Sequence, residues 1–294
     1  MAERSNSQIV VAIVIAIVLG ALISWAGSGG GDRVGTVPVF ALCGALAFAV
    51  NWLAFIPAAL VQTERYYDLV GGITYISVTM FALAVSSELD ARATLVAAMV
   101  LFWSLRLATF LFRRISRDGK DSRFDNIKNR PLRFFMAWTV QGLWVLLTAA
   151  AALAIITGGV REPLGAVGVA GIVVWLIGIA IEIMADRQKS MFRSDPDNAG
   201  KFINVGLWAW SRHPNYFGEI VLWTGMAIVA VPVLQGWQWA TLISPVFVTF
   251  LLTRVSGIPL LEAKADERWG DQDDYEEYKR RTPVLIPSPP TTQE

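Results

Sequence analysis

The sequence predicts an all-α fold, a polytopic transmembrane helix bundle of seven or eight spans. Three observations predict it. The 294-residue chain is 54% hydrophobic and only 17% charged, too apolar for an ordinary water-soluble domain. Apolar runs recur that reach the roughly 20 residues a helix needs to cross the hydrocarbon core. Lysine and arginine gather in alternate connecting segments, as they do on one face of a membrane.

Taken in order, spans are expected near 9–26, 36–61, 69–87, 93–112, 135–157, 164–185, 217–234 and 238–253. The first is an almost uninterrupted aliphatic run. It is longer than the apolar region of a typical secretory leader and follows little charge, so it reads as a span. The second and third are apolar and separated by the polar stretch around Glu64, Arg65 and Tyr66. The fourth ends in a run of arginines, and the fifth and sixth are long and uncharged until Glu182. The last two are short and divided at Pro232 and Gly236, which leaves seven spans possible beside eight.

Orientation follows from the basic residues. Segment 113–133 holds Arg113, Arg114, Arg117, Lys120, Arg123, Lys128, Arg130 and Arg133 against Asp118, Asp121 and Asp125. Segment 186–215 adds Arg187, Lys189, Arg193, Lys201 and Arg212, and the C-terminal part adds Lys264, Arg268, Lys279, Arg280 and Arg281. Eight spans put all of these on one side, while 27–35 and 158–163 opposite are glycine-rich and nearly neutral. Both termini are therefore expected in the cytoplasm.

The chain reads as a single integral membrane domain over 1–294, with a disordered Pro/Thr-rich tail at 288–294. Gly165, Gly168, Gly171 and Gly178 place small residues along one face of span six, where a neighbouring backbone can approach. Trp25, Trp52, Trp208, Trp210, Trp237 and Trp239 fall near span ends, as interfacial anchors do. The lone Cys43 excludes a disulfide framework. No GxGxxG follows a strand and no GxxxxGK[ST] is present, so neither a Rossmann nor a P-loop site is expected. Nucleic acid is not expected either, because the basic residues are confined to connecting segments without a recognition motif. Nothing points to an obligate protein partner.

Polar groups kept at membrane depth mark ligand sites, and three sets stand out. On span four, Trp103, Arg106, Phe110, Arg113 and Arg117 recur at helical spacing, with Arg106 about two turns inside. At the end of span six, Glu182, Asp186 and Arg193 share a face if the helix continues. The connector that follows, with Asp195, Pro196, Asp197 and Asn198, has turn-forming composition; Asn198 and Asn204 either cap turns or reach a ligand. The third set is SRHPNYFGEI at 211–220. Pro214 suits the first position of a helix, leaving Asn215, Tyr216 and Glu219 on its first turn and Arg212 and His213 before an N-terminus that attracts anions. One histidine without a neighbouring thiol makes no metal-ligand set.

The string WSRHPNYFGE (210–219), the Glu182–Asp186–Arg193 helix end and the tail YEEYKRRTPVLIP (275–287) resemble the steroid 5-alpha-reductase C-terminal superfamily, and within it the bacterial DUF1295 branch. The resemblance covers about residues 50–287. Sterol reductases share the string, and isoprenylcysteine carboxyl methyltransferases carry a looser form of it. The resemblance implies a membrane oxidoreductase that reduces an activated carbon–carbon double bond of a lipid or steroid-like substrate with NADPH, in a bacterial inner membrane with the cofactor site on the cytoplasmic side. Its cofactor positions would be Arg106, Asp186, Arg193, Asn198, Arg212, His213, Asn215, Tyr216 and Glu219. The arginines would meet the phosphates through charge-assisted hydrogen bonds, and Asn215 and Glu219 the nicotinamide amide or a ribose hydroxyl.

The resemblance also implies a carbonyl-holding pair, a tyrosine on span four and a glutamate on span two. Here Trp103 stands at the first, and Asn51 on span two, with Glu64 and Tyr66 just beyond, at the second. The C-terminal histidine of the steroid enzymes is replaced within LEAKADERWG at 261–270. An unsaturated lipid other than a steroid ketone therefore stands beside it as a substrate. Two further readings remain: an S-adenosylmethionine-dependent methyltransferase of the isoprenylcysteine type, and a non-enzymatic lipid-binding membrane protein.

Overall fold

The computed structural model describes residues 5–118 and 121–290. Lys120 and the last residues of the Pro/Thr-rich tail lie outside the described residues, as do the side chains of Arg114 and Arg117. Helices are α1 (Asn6–Gly27), α2 (Val39–Leu60), α3 (Tyr67–Val85), α4 (Ala91–Asp118), α5 (Pro131–Thr157), α6 (Ala166–Ser194), α7 (Pro214–Ala230), α8 (Ile243–Phe250), α9 (Ile258–Trp269) and α10 (Asp273–Arg281). Among the described residues, eight helical stretches are long and apolar enough to cross a bilayer, the eighth running from Gly236 to Trp269. The protein is thus the expected polytopic helical membrane protein. The eighth stretch is irregular, beginning as a 3-10 turn at Gly236–Leu242 and widening to a π-helical turn at Leu251–Val255. That irregularity explains why the last pair of spans is less distinct in the sequence than the others.

The chain divides into two compact units. The first comprises residues up to Gly168 with Ala230–Ser244. Its hub is α5, packed by α1 to α4 and by the Gly236–Leu242 turn. Every residue of α5 from Gly142 to Thr157 except Trp144 is buried. The run of alanines at 149–152 lets neighbours close on it from all sides, as a helix without a polar face requires. At one end, Arg161 pairs with Asp32 at 3.7 Å, and Asp32 accepts from the Ser87 hydroxyl and backbone. The segments at this end, nearly neutral by composition, are thus tied by half-buried ions. A two-residue hairpin, β1 (Arg33–Val34) with β2 (Val37–Pro38), turns on Gly35 at φ +61°, a value that favours glycine.

At the other end of this unit, the chain after α4 folds back on the α2–α3 turn. Glu64 is buried, receives Lys128 Nζ at 2.9 Å and accepts the Asp121 N–H at 3.1 Å. Arg123 reaches Asp68 and Asp121, and Phe124 packs on Tyr67. Burial opposes ionisation of Glu64, but these hydrogen bonds outweigh it and hold the carboxyl below its ordinary range.

The second unit comprises Val169–Val229 with the chain from Pro245 onward. Here α6 and α7 run antiparallel in backbone contact. A Cβ at Gly178 would sit 2.4 Å from Leu222 N, and one at Gly225 would sit 2.4 Å from Trp175 N. Gly171 and Gly218 meet α7 and α6 backbone at 2.7 Å in the same way. The expected small-residue face of span six therefore holds for Gly171 and Gly178. Gly165 precedes the helix in open space, and Gly168 belongs to the first unit against Arg92. Of the expected interfacial tryptophans, Trp25 and Trp237 are exposed and pack on each other at 5.6 Å. Trp208 departs from that expectation: it is buried, because its indole N–H donates to the Ala185 carbonyl at 3.0 Å and Lys189 caps its ring.

Two measurements check this account. Gly178→Ala must force the two backbones apart and should cost about 1–3 kcal/mol of stability in detergent, read by thermal unfolding; an unchanged melting temperature would refute the contact. The folded Glu64 carboxyl holds its proton less tightly than the unfolded one, so its contribution is present above the unfolded pKa and drains away as pH falls through the folded one. Melting temperature should therefore drop on acidification across the carboxylate range, and Glu64→Gln should flatten that drop.

Candidate functional site

The glycine contact decides what faces what in the second unit. Because α6 continues to Ser194, Glu182, Asp186 and Arg193 lie on one helix as expected. Glu182 and Asp186 are buried, and Asn215 Nδ2 on the first turn of α7 points at Asp186 Oδ1 across 3.4 Å. Pro214 opens α7, as its missing N–H and restricted φ favour. Tyr216 then stacks on His213, ring centroids 5.7 Å apart and 10° from parallel. Gly257 makes room for it: a Cβ there would meet Tyr216 Cε2 at 2.9 Å. Glu219 is half-buried on the same helix.

The loop before α7 is held by the segment after α10. Arg212 N–H donates to Pro283 O at 2.9 Å, Ser211 Oγ to Leu285 O at 2.8 Å, and Ser288 N–H to Trp210 O at 3.0 Å. Tyr278 Oη donates to Trp208 O at 2.7 Å. The PVLIP tail is therefore a brace for the Trp210–His213 loop, and the backbone at Ser288, where a disordered tail was expected to start, is hydrogen-bonded. Glu262 on α9 meets two side chains of that loop: Arg212 Nη1 contacts its Oε2, and His213 Nε2 lies 2.7 Å from its Oε1.

These groups line a cavity of about 290 Å³. Lys189, Arg193, Lys201, Arg212, Lys264 and Arg268 supply six cationic side chains, against the single carboxylate of Glu262. Phe192, Phe202, Trp208, Trp269, Tyr275 and Tyr278 supply aromatic surface. Phe202 is the centre of that wall, packing on Tyr275 at 5.2 Å and Tyr278 at 5.4 Å. Burial, then the Asp266 and Glu262 carboxylates, push the Tyr275 phenol up to about 12. Burial likewise drives the His213 imidazole below its ordinary value, against the upward pull of Glu262. At neutral pH the cavity therefore holds fixed positive charge, aromatic faces and an uncharged histidine. That set suits an anion bearing a flat ring. Among the described residues, no group of three His, Cys, Asp or Glu side chains could hold a metal ion.

The site residues expected from sequence divide between the two units. Arg193, Arg212 and His213 line the cavity, and Asp186, Asn215, Tyr216 and Glu219 occupy the adjoining α6 and α7 surfaces. Asn198 does not line it; its amide donates to the carboxylate of Asp195, the residue that caps the 3-10 turn, at 3.4 Å. Asn51, Glu64, Tyr66, Trp103 and Arg106 all belong to the first unit. There Asn51 is buried and bonds Ala47 O and Thr74 Oγ1, Trp103 is buried edge-on to Tyr75, and Tyr66 is exposed at the start of α3. Glu64 is engaged by Lys128, and Arg106 is half-buried on α4. Sequence reasoning missed Glu262, Lys264, Arg268 and Tyr275. The spacing of Leu261, Ala265 and Arg268 on one face of α9 was the available signal.

A family model described as protein of unknown function, DUF1295, matches residues 54–282. The 3-oxo-5-alpha-steroid 4-dehydrogenase 1 of Rattus norvegicus is 31% identical over 117 residues, 40% of this chain and 40% of that protein. The steroid 5-alpha-reductase DET2 of Arabidopsis thaliana is 31% identical over 121 residues, again 40% of each. A probable O-methyltransferase, ustE, of Ustilaginoidea virens is 26% identical over 94 residues, 29% of this chain and 33% of that protein. The matched stretch thus covers 40% or less of the length of each of these three relatives. No solved structure matches the chain. Because the family match runs through most of the sequence, this protein belongs to the DUF1295 family.

Proposed function

We propose that the protein is a membrane reductase that uses NADPH to reduce an activated carbon–carbon double bond of a lipid or steroid-like substrate. The observation that carries this reading is the cavity of the second unit, lined by six cationic side chains, an aromatic wall and one carboxylate. The curated relatives named as steroid reductases and dehydrogenases support the reaction class. The concentration of basic side chains around the cavity supports a cytoplasmic-facing site, with both termini on that side of a bacterial inner membrane.

The residues fit a phosphorylated nucleotide. Arg193 and Arg212 would hold phosphate oxygens through charge-assisted hydrogen bonds, with Lys189, Lys201, Lys264 and Arg268 supplying the balancing field. A volume of about 290 Å³ suits one phosphate-bearing half of a dinucleotide. Asp186, Asn215, Tyr216 and Glu219 would complete the polar contacts from α6 and α7. Bound NADPH would supply hydride to the double bond. The chain's own part is to bind, to orient and to exclude water through the apolar helices around the site. By resemblance, Asn51 and Trp103 remain candidates for contact with the substrate's polar end. The Trp103 indole can donate a hydrogen bond but cannot relay a proton at neutral pH.

The similarity to a probable O-methyltransferase favours a second reading, binding of S-adenosylmethionine. One assay separates the two. A ligand that binds only the folded form raises the melting temperature, by an amount equivalent to about 2.7 kcal/mol at a hundred times its Kd. NADPH should stabilise the purified protein and S-adenosylmethionine should not. Arg193→Ala should lose a charge-assisted bond of about 1.5–3 kcal/mol and with it most of the NADPH shift. Asn215→Ala should reduce that shift too. Stabilisation by S-adenosylmethionine alone would reverse the assignment.

A further inference from the structure

His213 is the only histidine in the chain, and its two ring nitrogens sit in opposite situations. Nε2 lies 2.7 Å from Glu262 Oε1. Nδ1 is buried and has no hydrogen-bond partner among the described residues. The residue is 5% exposed and lines the cavity, with Tyr216 stacked on its ring.

A neutral imidazole carries one N–H and one bare lone pair. The charged groups around the ring come from every element packed on it: Glu262 on α9, Lys189 on α6 and Arg212 beside it. Burial, helped by the two cations, keeps the ring neutral despite Glu262. A carboxylate paired with Arg212 can only accept, so the hydrogen belongs on Nε2 and the lone pair on Nδ1. Turning the ring would break the Nε2 contact with Glu262 and the stack on Tyr216, which together hold its orientation. A buried acceptor left bare is uncommon in folded proteins and calls for a partner such as a water or a ligand group.

We propose that Glu262 is a positioning residue that locks His213 in its Nε2–H form, so that Nδ1 accepts a hydrogen bond from a hydroxyl or amide of the bound nucleotide. This rests on the nucleotide reading of the cavity. The donor is either a group on the adenosine half or the nicotinamide carboxamide, and the two are separable by ligand.

The single histidine makes the test direct. Full-length protein labelled with 15N-histidine gives one pair of ring-nitrogen resonances. Ligand-free, they should be one pyrrole-type and one pyridine-type signal, unchanged between about pH 8 and about pH 6.5, where a free imidazole is already half protonated. Adding NADPH should move the pyridine-type Nδ1 signal upfield. Adenosine 2′,5′-bisphosphate should reproduce the move if the donor is on the adenosine half, and should leave it to NADPH alone if the donor is the carboxamide. Glu262→Leu should mix the two tautomers and weaken NADPH about tenfold. The wild-type spectra carry the test if that variant does not fold. His213→Asn, whose amide oxygen can take the place of Nδ1, should bind NADPH better than His213→Gln, whose polar end lies where Nε2 does. The proposal is overturned if NADPH stabilises the protein while the Nδ1 signal stays put, or if the Gln variant binds as well as the Asn variant. If NADPH gives no stabilisation at all, the nucleotide reading falls, and this inference with it.

Discussion

Two helices can touch backbone to backbone only where a Cβ is missing at the contact, and α6 and α7 satisfy this at four glycines. In lipid, where apolar side chains gain nothing from leaving their surroundings, such close approach is a main source of helix association. Everything in the second unit's site follows from it. The approach brings Asp186 within reach of Asn215, and it sets the start of α7 beside the end of α6. The Arg212–His213 pair is delivered by that same start, just ahead of Pro214.

The second requirement is charge balance. Six cations around one cavity repel one another, and Glu262 is the carboxylate that lines the cavity with them. It contacts Arg212 and His213 together and so joins α9 to the loop before α7. The segment after α10 adds backbone hydrogen bonds to the same loop. Shared between two partners, the Glu262 carboxylate keeps these members of the site fixed. The relatives named as steroid reductases match over 40% of this chain, and the family match over residues 54–282.

Much of the fold was legible in the sequence. Apolar runs located the helices, Pro214 located the start of α7, and the Glu182, Asp186 and Arg193 spacing suited one helix face on the condition, met here, that α6 continues to Ser194. The site was legible only in part. Arg193, Arg212, His213 and Asn215 stood out because polar groups inside an apolar chain are conspicuous. Glu262 did not, because LEAKADERWG reads as an ordinary solvated helix. Trp208 was misjudged for a related reason. A tryptophan beside a span end suits an interface equally well whether its N–H meets water or, as here, the Ala185 carbonyl. Glu64 likewise stood out as a polar residue near a span, while its partner Lys128 lies 64 positions away.

By itself the sequence determined the class and the helices, because those depend on local hydropathy and on the short-range rules for starting and ending a helix. Only the tertiary structure decided which charges meet. Pairings such as Glu262 with Arg212 and His213, or Glu64 with Lys128, join residues about 50 or more positions apart. No periodicity reaches that far, and contact at that range is set by how closely the helices pack.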